Sequence, residues 1–124
     1  MNKQQTGVSR PDRVAEEIRR TLSELIVKEV KDPRLKKVTF TDCKVTRDLG
    51  IAKLYFTYIG AQESDPEVAE AKKALEKAKG FFRSEIGKQI KLRTVPEVRF
   101  YYDNAAENAS HIEALIQKAL YSRD

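Results

Sequence analysis

Two alternating runs joined by a tight turn commit this chain to a β-hairpin, and the rest of the fold must be built around it. From Ile51 to Ile59, Ala52, Leu54, Phe56 and Tyr58 alternate with Lys53, Tyr55 and Thr57, the period of a strand with one buried face. Upstream, Lys37 to Arg47 alternates through Val38 and Phe40, then Cys43 and Val45. The phase slips by one residue near Thr41-Asp42, which predicts a β-bulge. Asp48-Leu49-Gly50 supplies the turn, so the two strands are expected to run antiparallel. A hairpin alone cannot hide its apolar face from water. Other segments have to cover it.

Those segments read as helices. Ser9 or Arg10 precedes Pro11, and Val14, Ile18, Leu22, Leu25, Ile26 and Val30 follow at helical spacing until Asp32-Pro33 ends the pattern. A second helix starts after Ser64 or Asp65 with Pro66 in its first turn, and Val68, Ala71, Leu75, Ala78, Phe82, Ile86 and Ile90 form its apolar stripe. Val95-Pro96 breaks that pattern, and Val98, Phe100 and Tyr102 mark a third strand, expected to add parallel to the first. Asp103-Asn104 opens a last helix whose Ile112, Leu115, Ile116, Ala119 and Leu120 are expected to face inward. The order α-β-β-α-β-α predicts an α+β two-layer sandwich. At 124 residues the chain supports one core: a single domain over 9–121, a flexible leader at 1–8 and a short tail at 122–124.

Charge narrows the function classes. Charged residues make up 35% of the chain, against roughly 25% in an average globular protein. Lys and Arg outnumber Asp and Glu by 24 to 19, a moderate excess that steers a protein toward anions. A single cysteine, Cys43, rules out an internal disulfide, and a lone His111 argues against a histidine metal site or a catalytic triad. No cofactor motif is present: there is no P-loop, and Gly80 and Gly87 do not make a dinucleotide fingerprint. Asp103-Asn104 lies after a strand, where catalytic loops are often found, but it reads equally as a helix N-cap. No Ser, Cys or Lys has a visible base partner, so the expectation is a non-enzyme. No apolar run approaches the ~20 residues that span a bilayer, and MNKQQTGVSR lacks the apolar core of a secretory signal. The expected location is cytoplasmic, away from membranes.

The candidate site is LEKAKGFFRSEIGKQIKLR, Leu75 to Arg93. Gly80 interrupts this amphipathic helix, at a cost of about 0.5–1 kcal/mol relative to alanine. Lys73, Lys77, Lys79, Arg83, Lys88 and Lys91 surround it, and Arg93 follows. In projection at about 100° per residue, Gly80, Lys77, Ser84, Lys88 and Lys91 fall within about 60° of Lys73. The apolar stripe lies on the far side. A lysine stripe is commonly a solvated face. A glycine in its middle lets a phosphate approach the backbone, and a helix break there would free N–H groups that bind anions. Arg10, Arg13, Arg19 and Arg20 add basic positions on the first helix, partly cancelled by Asp12, Glu16, Glu17 and Glu24. Lys31, Arg34, Lys36, Lys37 and Arg47 add more on connections. Tyr55, Tyr58, Tyr101 and Tyr102 are either base-stacking residues or, more commonly for alternating aromatics, core.

RPDRVAEEI (Arg10 to Ile18), KDPRL (Lys31 to Leu35), TRDLGIAKLYFTY (Thr46 to Tyr58) and AKGFFRSEIGKQIKLRTVPEVRFYYDN (Ala78 to Asn104), in this order and spacing, resemble the bacterial ribosome-binding factor A family along nearly the whole chain. The resemblance implies a type II KH-like fold. The clamp loop that ordinary KH domains place between two helices is shortened in this family to a kink, which falls on Ala78-Lys79-Gly80. It further implies a factor that binds the immature small (30S) ribosomal subunit through 16S rRNA. Such a factor assists late maturation and 5′-end processing, supports growth in the cold and leaves with the help of an assembly GTPase. The expected binding residues are the kink with its cations, together with Arg10 and Arg13 of the first helix and the basic turn that follows it. The factor is expected to act as a monomer without a cofactor. Many relatives carry a longer charged C-terminal tail than the one ending here at Asp124. A protein-interaction module contacting ribosomal proteins is the alternative.

Overall fold

The computed structural model describes residues 9–121, with the side chains of 106–112 and 121 outside the description. The expected leader 1–8 and tail 122–124 lie outside the described residues, as do the side chains of His111 and Ile112. Helix α1 spans Arg10–Lys28 and a 3-10 turn spans Pro33–Leu35. Strands β1 (Val38–Val45) and β2 (Ile51–Tyr58) follow, then α2 (Pro66–Lys77), α3 (Lys79–Gln89), β3 (Glu97–Tyr102) and α4 (Ala105–Tyr121).

The hairpin forms as its alternation requires. β1 pairs antiparallel with β2, and the register shifts between Phe40 and Asp42. Thr41 is the bulged residue, and its hydroxyl donates to the Asp103 carboxylate at 2.6 Å. The bulge keeps Val38, Phe40 and Cys43 on the buried face. At the hairpin tip Leu49 has φ 61°, the left-handed region that costs an L residue roughly 1–2 kcal/mol. The Asp48 carboxylate, accepting from the Gly50 N–H at 3.0 Å and the Thr46 hydroxyl at 2.7 Å, holds that turn.

α1, α2 and α3 supply the second layer. Ser9 caps α1, its hydroxyl accepting from the Asp12 N–H at 3.3 Å. Ile18 and Leu22 of α1, Leu75 of α2, Phe82 and Ile86 of α3, and Leu54, Phe56 and Val98 of the sheet are fully buried in one core. Phe82 reaches across to two strands, its ring centroid 6.4 Å from that of Phe40 and 6.0 Å from that of Phe100. Burying such a ring contributes about 1.5–3 kcal/mol, which pins the start of α3 to the sheet.

Two expectations are corrected. β3 pairs parallel with β2, not with β1, so the strand order is β1-β2-β3. The α2–α3 segment runs back along the sheet once and delivers the chain to the end where β2 begins. A strand starting there is parallel to β2 and antiparallel to β1. The second correction concerns α4. Leu115, Ile116 and Leu120 are more than half exposed, and Ala119 is exposed as well. The helical period in that segment is real, but the face it creates is not covered by the described residues.

Candidate nucleic-acid interface

The long second helix is two helices. α2 ends at Lys77 and α3 starts at Lys79, with Ala78 between them at φ −85° and ψ 1°. The Ala78 N–H still donates back into α2, to the carbonyl oxygens of Ala74 (3.0 Å) and Leu75 (3.1 Å), while the Ala78 carbonyl accepts from the Phe82 N–H at 3.0 Å. The Ala78 backbone is thus bonded to both helices, its N–H to α2 and its carbonyl to α3. The apolar stripe stays buried on both sides of the bend, through Ala71, Ala74 and Leu75, then Phe82, Ile86 and Ile90.

Gly80 lies in the first turn of α3, exposed to solvent. A Cβ placed there would meet no atom within 4 Å, and its φ is not positive. Neither backbone conformation nor internal packing calls for glycine. Gly87 differs: a Cβ there would stand 3.1 Å from Val95 Cγ2. The glycine expected to meet a phosphate is thus the one with open space over it.

The cations fall into two groups. Lys73, Lys77 and Lys79 lie on α2 and the bend. Lys73 pairs with Glu70 at 3.3 Å and Lys79 with Glu76 at 2.7 Å, whereas Lys77 is exposed and makes no salt bridge among the described residues. Exposed Lys72, not singled out from the sequence, joins this group and is likewise unbridged; its place beside Lys73 was the available signal. The basic connection after α1 adjoins them through Arg34, which bridges Asp32 (2.7 Å) and Glu70 of α2 (3.7 Å). Hydrogen bonds from Arg34 hold the Asp32 carboxyl down at about 2, with a smaller contribution from the charge of Lys77.

The second group sits at the far end of α3, roughly 15 Å from Gly80 at 1.5 Å per residue. Arg10, Arg13 and Arg20 of α1 and Lys91 line an open cleft of about 610 Å³ together with Asp12, Glu16 and Glu17. Arg10 also faces Arg93 across a smaller cleft that includes the strained Leu49. Arg19 is set aside from this group by its 2.6 Å bridge to Glu16. Lys88, exposed, pairs with Glu85 at 3.3 Å.

Arg83 has a different position from the rest. Its Nε–H donates to the Pro96 carbonyl at 3.2 Å and an Nη2–H donates to the Val95 carbonyl at 3.1 Å. It fastens α3 to the segment entering β3 and leaves its remaining donors for an anion.

The catalytic alternative finds its residues in other work. Asp103 accepts from the Thr41 hydroxyl and from the Ala105 N–H, which lowers its carboxyl below the ordinary range and caps α4. The Asn104 amide donates to Glu63 at 3.1 Å. Cys43 is buried, and desolvation pushes its thiol up to about 12, so it is no nucleophile at neutral pH. No group of metal-ligating residues occurs among the described residues, and no described helix is long and apolar enough to cross a membrane.

Known proteins share both the sequence and this architecture. A Hydrogenovibrio crunogenus protein named ribosome-binding factor A is 63% identical over 116 residues, covering 94% of this chain and 96% of its own length. A Thermotoga maritima relative solved by NMR in solution superposes with TM-score 0.64 at 38% identity, covering 75% of this chain and 86% of that one. The fold is also that of crystalline ribosome-binding factor A from Thermus thermophilus, with TM-score 0.65 at 21% identity, over 77% of this chain and 97% of that one. The family model described as ribosome-binding factor A matches residues 10–116. With the bent α2–α3 pair, the mixed three-stranded sheet and this match in hand, the chain belongs to the ribosome-binding factor A family.

Proposed function

We propose that this protein binds the immature small ribosomal subunit through 16S rRNA and assists its late maturation, including 5′-end processing of that RNA, without itself making or breaking a bond. The observation that carries the reading is Gly80: an exposed helix-weakening residue that the fold does not need, set among Lys72, Lys73, Lys77 and Lys79 at a helix joint. Backbone without a Cβ, beside lysine ammonium groups, suits a phosphate. Arg10, Arg13, Lys91 and Arg93 offer further phosphate contacts at the other end of α3, with Lys88 between the two groups and Arg83 positioning the helix. Bound rRNA is held in one arrangement, and its folding equilibrium shifts as far as the protein prefers that arrangement. The protein acts in the cytoplasm as a monomer, supports growth in the cold and leaves with the help of an assembly GTPase. Family membership supports this reading.

The test is co-sedimentation with immature small subunits. The triple change Lys73→Glu, Lys77→Glu and Lys79→Glu is expected to weaken binding at least tenfold while leaving the melting temperature near that of the parent. Arg83 is left intact because its loss would loosen β3. Co-sedimentation of the folded triple variant with parental affinity overturns the reading. Parent affinity should also fall steeply with salt, since phosphate contacts release counterions.

A second reading, contact with ribosomal proteins, is favoured by one observation: the exposed Leu115, Ile116 and Leu120 of α4. Binding of the purified domain to naked 16S rRNA fragments separates the two, since a protein-only contact leaves such fragments unbound.

A further inference from the structure

The sheet has a second face, and no helix among the described residues covers it. β2 and β3 run in parallel register with Lys53 opposite Arg99 and Tyr55 opposite Tyr101. β1 completes the rows, placing Lys44 opposite Lys53 and Asp42 opposite Tyr55. Inner-face neighbours Leu54, Phe56, Val98 and Phe100 are buried, so these residues point away from the core. One row across the sheet is therefore Lys44–Lys53–Arg99, and the next is Asp42–Tyr55–Tyr101.

Like charges directly opposite each other destabilise a sheet, and here three cations stand side by side. Glu97 pairs with Arg99 at 2.9 Å and offsets one charge of the row, while Asp42 accepts from the Cys43 N–H at 2.8 Å, which leaves the two lysines as the row's unpaired charges. Lys44 and Lys53 form no salt bridge among the described residues; the Lys44 ammonium instead stands 6.0 Å from the Tyr55 ring centre. The Tyr55 and Tyr101 rings lie side by side, centroids 5.7 Å apart and planes 31° from parallel. Tyr101 is 36% exposed.

We infer that this open face is a second RNA-binding surface, which takes a single-stranded segment by stacking bases on Tyr55 and Tyr101 and holding its phosphates on Lys44, Lys53 and Arg99. The inference rests on the RNA reading above but uses the face of the domain opposite the helix joint. Two π faces beside a cationic row are the parts that single-strand binding needs, because stacking accepts any base and the cations follow the backbone. On β2 and β3 the ring and the cation are two residues apart, about 6.6 Å at ~3.3 Å per residue, so a base on a ring leaves its phosphate within reach of the cations. A duplex cannot use the rings, since its bases are already stacked on one another.

The test uses the full chain with a fluorescein-labelled single-stranded decauridylate and a duplex of equal length. A parallel decamer carrying 5-iodouridine is photo-crosslinked and mapped by mass spectrometry. Crosslinks at Tyr55 or Tyr101 are expected. Tyr101→Ala should weaken single-strand binding about tenfold, with duplex binding unchanged, while Tyr101→Phe, which keeps the ring, binds as the parent does. Lys53→Glu should lower both affinity and the salt slope. Crosslinks confined to α2 and α3, or parental affinity in a Tyr101→Ala variant that melts normally, would overturn the inference. So would a dimer in sedimentation that Tyr101→Ala dissolves without changing RNA binding, since the occupant would then be a second copy of the chain. The triple lysine variant keeps the two readings apart: it should lose crosslinks at the joint and keep those on the sheet.

Discussion

Gly80 and Gly87 stand two turns apart on α3, both exposed, and they are glycine for different reasons. Gly87 faces the Val95 methyl, so a side chain there meets the segment that Arg83 fastens to the helix. Gly80 faces open solvent. The first is explained inside the molecule. The second has no internal explanation, which shifts the weight to something outside the molecule. Two identical residues in one helix thus separate a packing constraint from a binding one, and that difference can be attacked experimentally.

The largest effect should come from removing what holds both glycines in place. Phe82, fully buried between Phe40 and Phe100, anchors α3. Phe82→Ala should cost about 3–5 kcal/mol, measured by urea unfolding, and abolish the contrast by freeing the whole helix. Its neighbour Phe81 is 39% exposed, and Phe81→Ala should cost far less. Equal losses would mean that α3 is not held by that ring.

Next comes Gly87→Leu, which forces extra volume against Val95. Overpacking of this kind costs about 1–3 kcal/mol, read as a lower unfolding midpoint, with RNA affinity at low temperature unchanged. Gly80→Ala should act in reverse. Adding a Cβ in open space removes the glycine penalty and should stabilise the fold by up to about 1 kcal/mol, yet binding to immature subunits should weaken several-fold because the methyl occupies the phosphate's approach. A Gly80→Ala variant that is both more stable and fully competent would remove the ligand from the explanation and leave Gly80 as an incidental glycine.

How much of this was legible in the chain depended on how local each feature is. The bulge could be read because Thr41 shifts the phase of its own strand. The break at Ala78 could not be read from periodicity, since the apolar stripe from Val68 to Ile90 stays in phase across it; it came from the family resemblance. The partner of β3 depends on how often the intervening helices traverse the sheet, a property of the path rather than of any residue. For the same reason the Lys44–Lys53–Arg99 row was invisible, because its members come together only through register between distant segments. In α4, amphipathic spacing showed that Leu115, Ile116 and Leu120 share a face, but spacing cannot say what covers a face. Nor could the sequence show that two Arg83 donors go to backbone carbonyls.

The smallest prediction uses acid to distinguish the flanks of the two glycines. The flank nearer Gly80 is held by ion pairs: Asp32 accepts from the Arg34 N–H at 2.9 Å and from its guanidinium, and Arg34 reaches Glu70 of α2. The flank of Gly87 is held by Arg83 on carbonyls that do not titrate. Asp32 is lowered in the fold from its ordinary 3.8 to about 2, so its contribution is present above about pH 4 and is lost as pH falls through about 2. The pair is partly exposed, which keeps the effect on global stability small. It should be visible locally, in NMR spectra recorded from pH 5 downward. The Arg34 amide and Hε resonances should move with a midpoint near 2, while Arg83 Hε stays fixed as long as the chain is folded. If both arginines move together with one midpoint, the flanks are not held differently, and the contrast between the glycines reduces to the space above each of them.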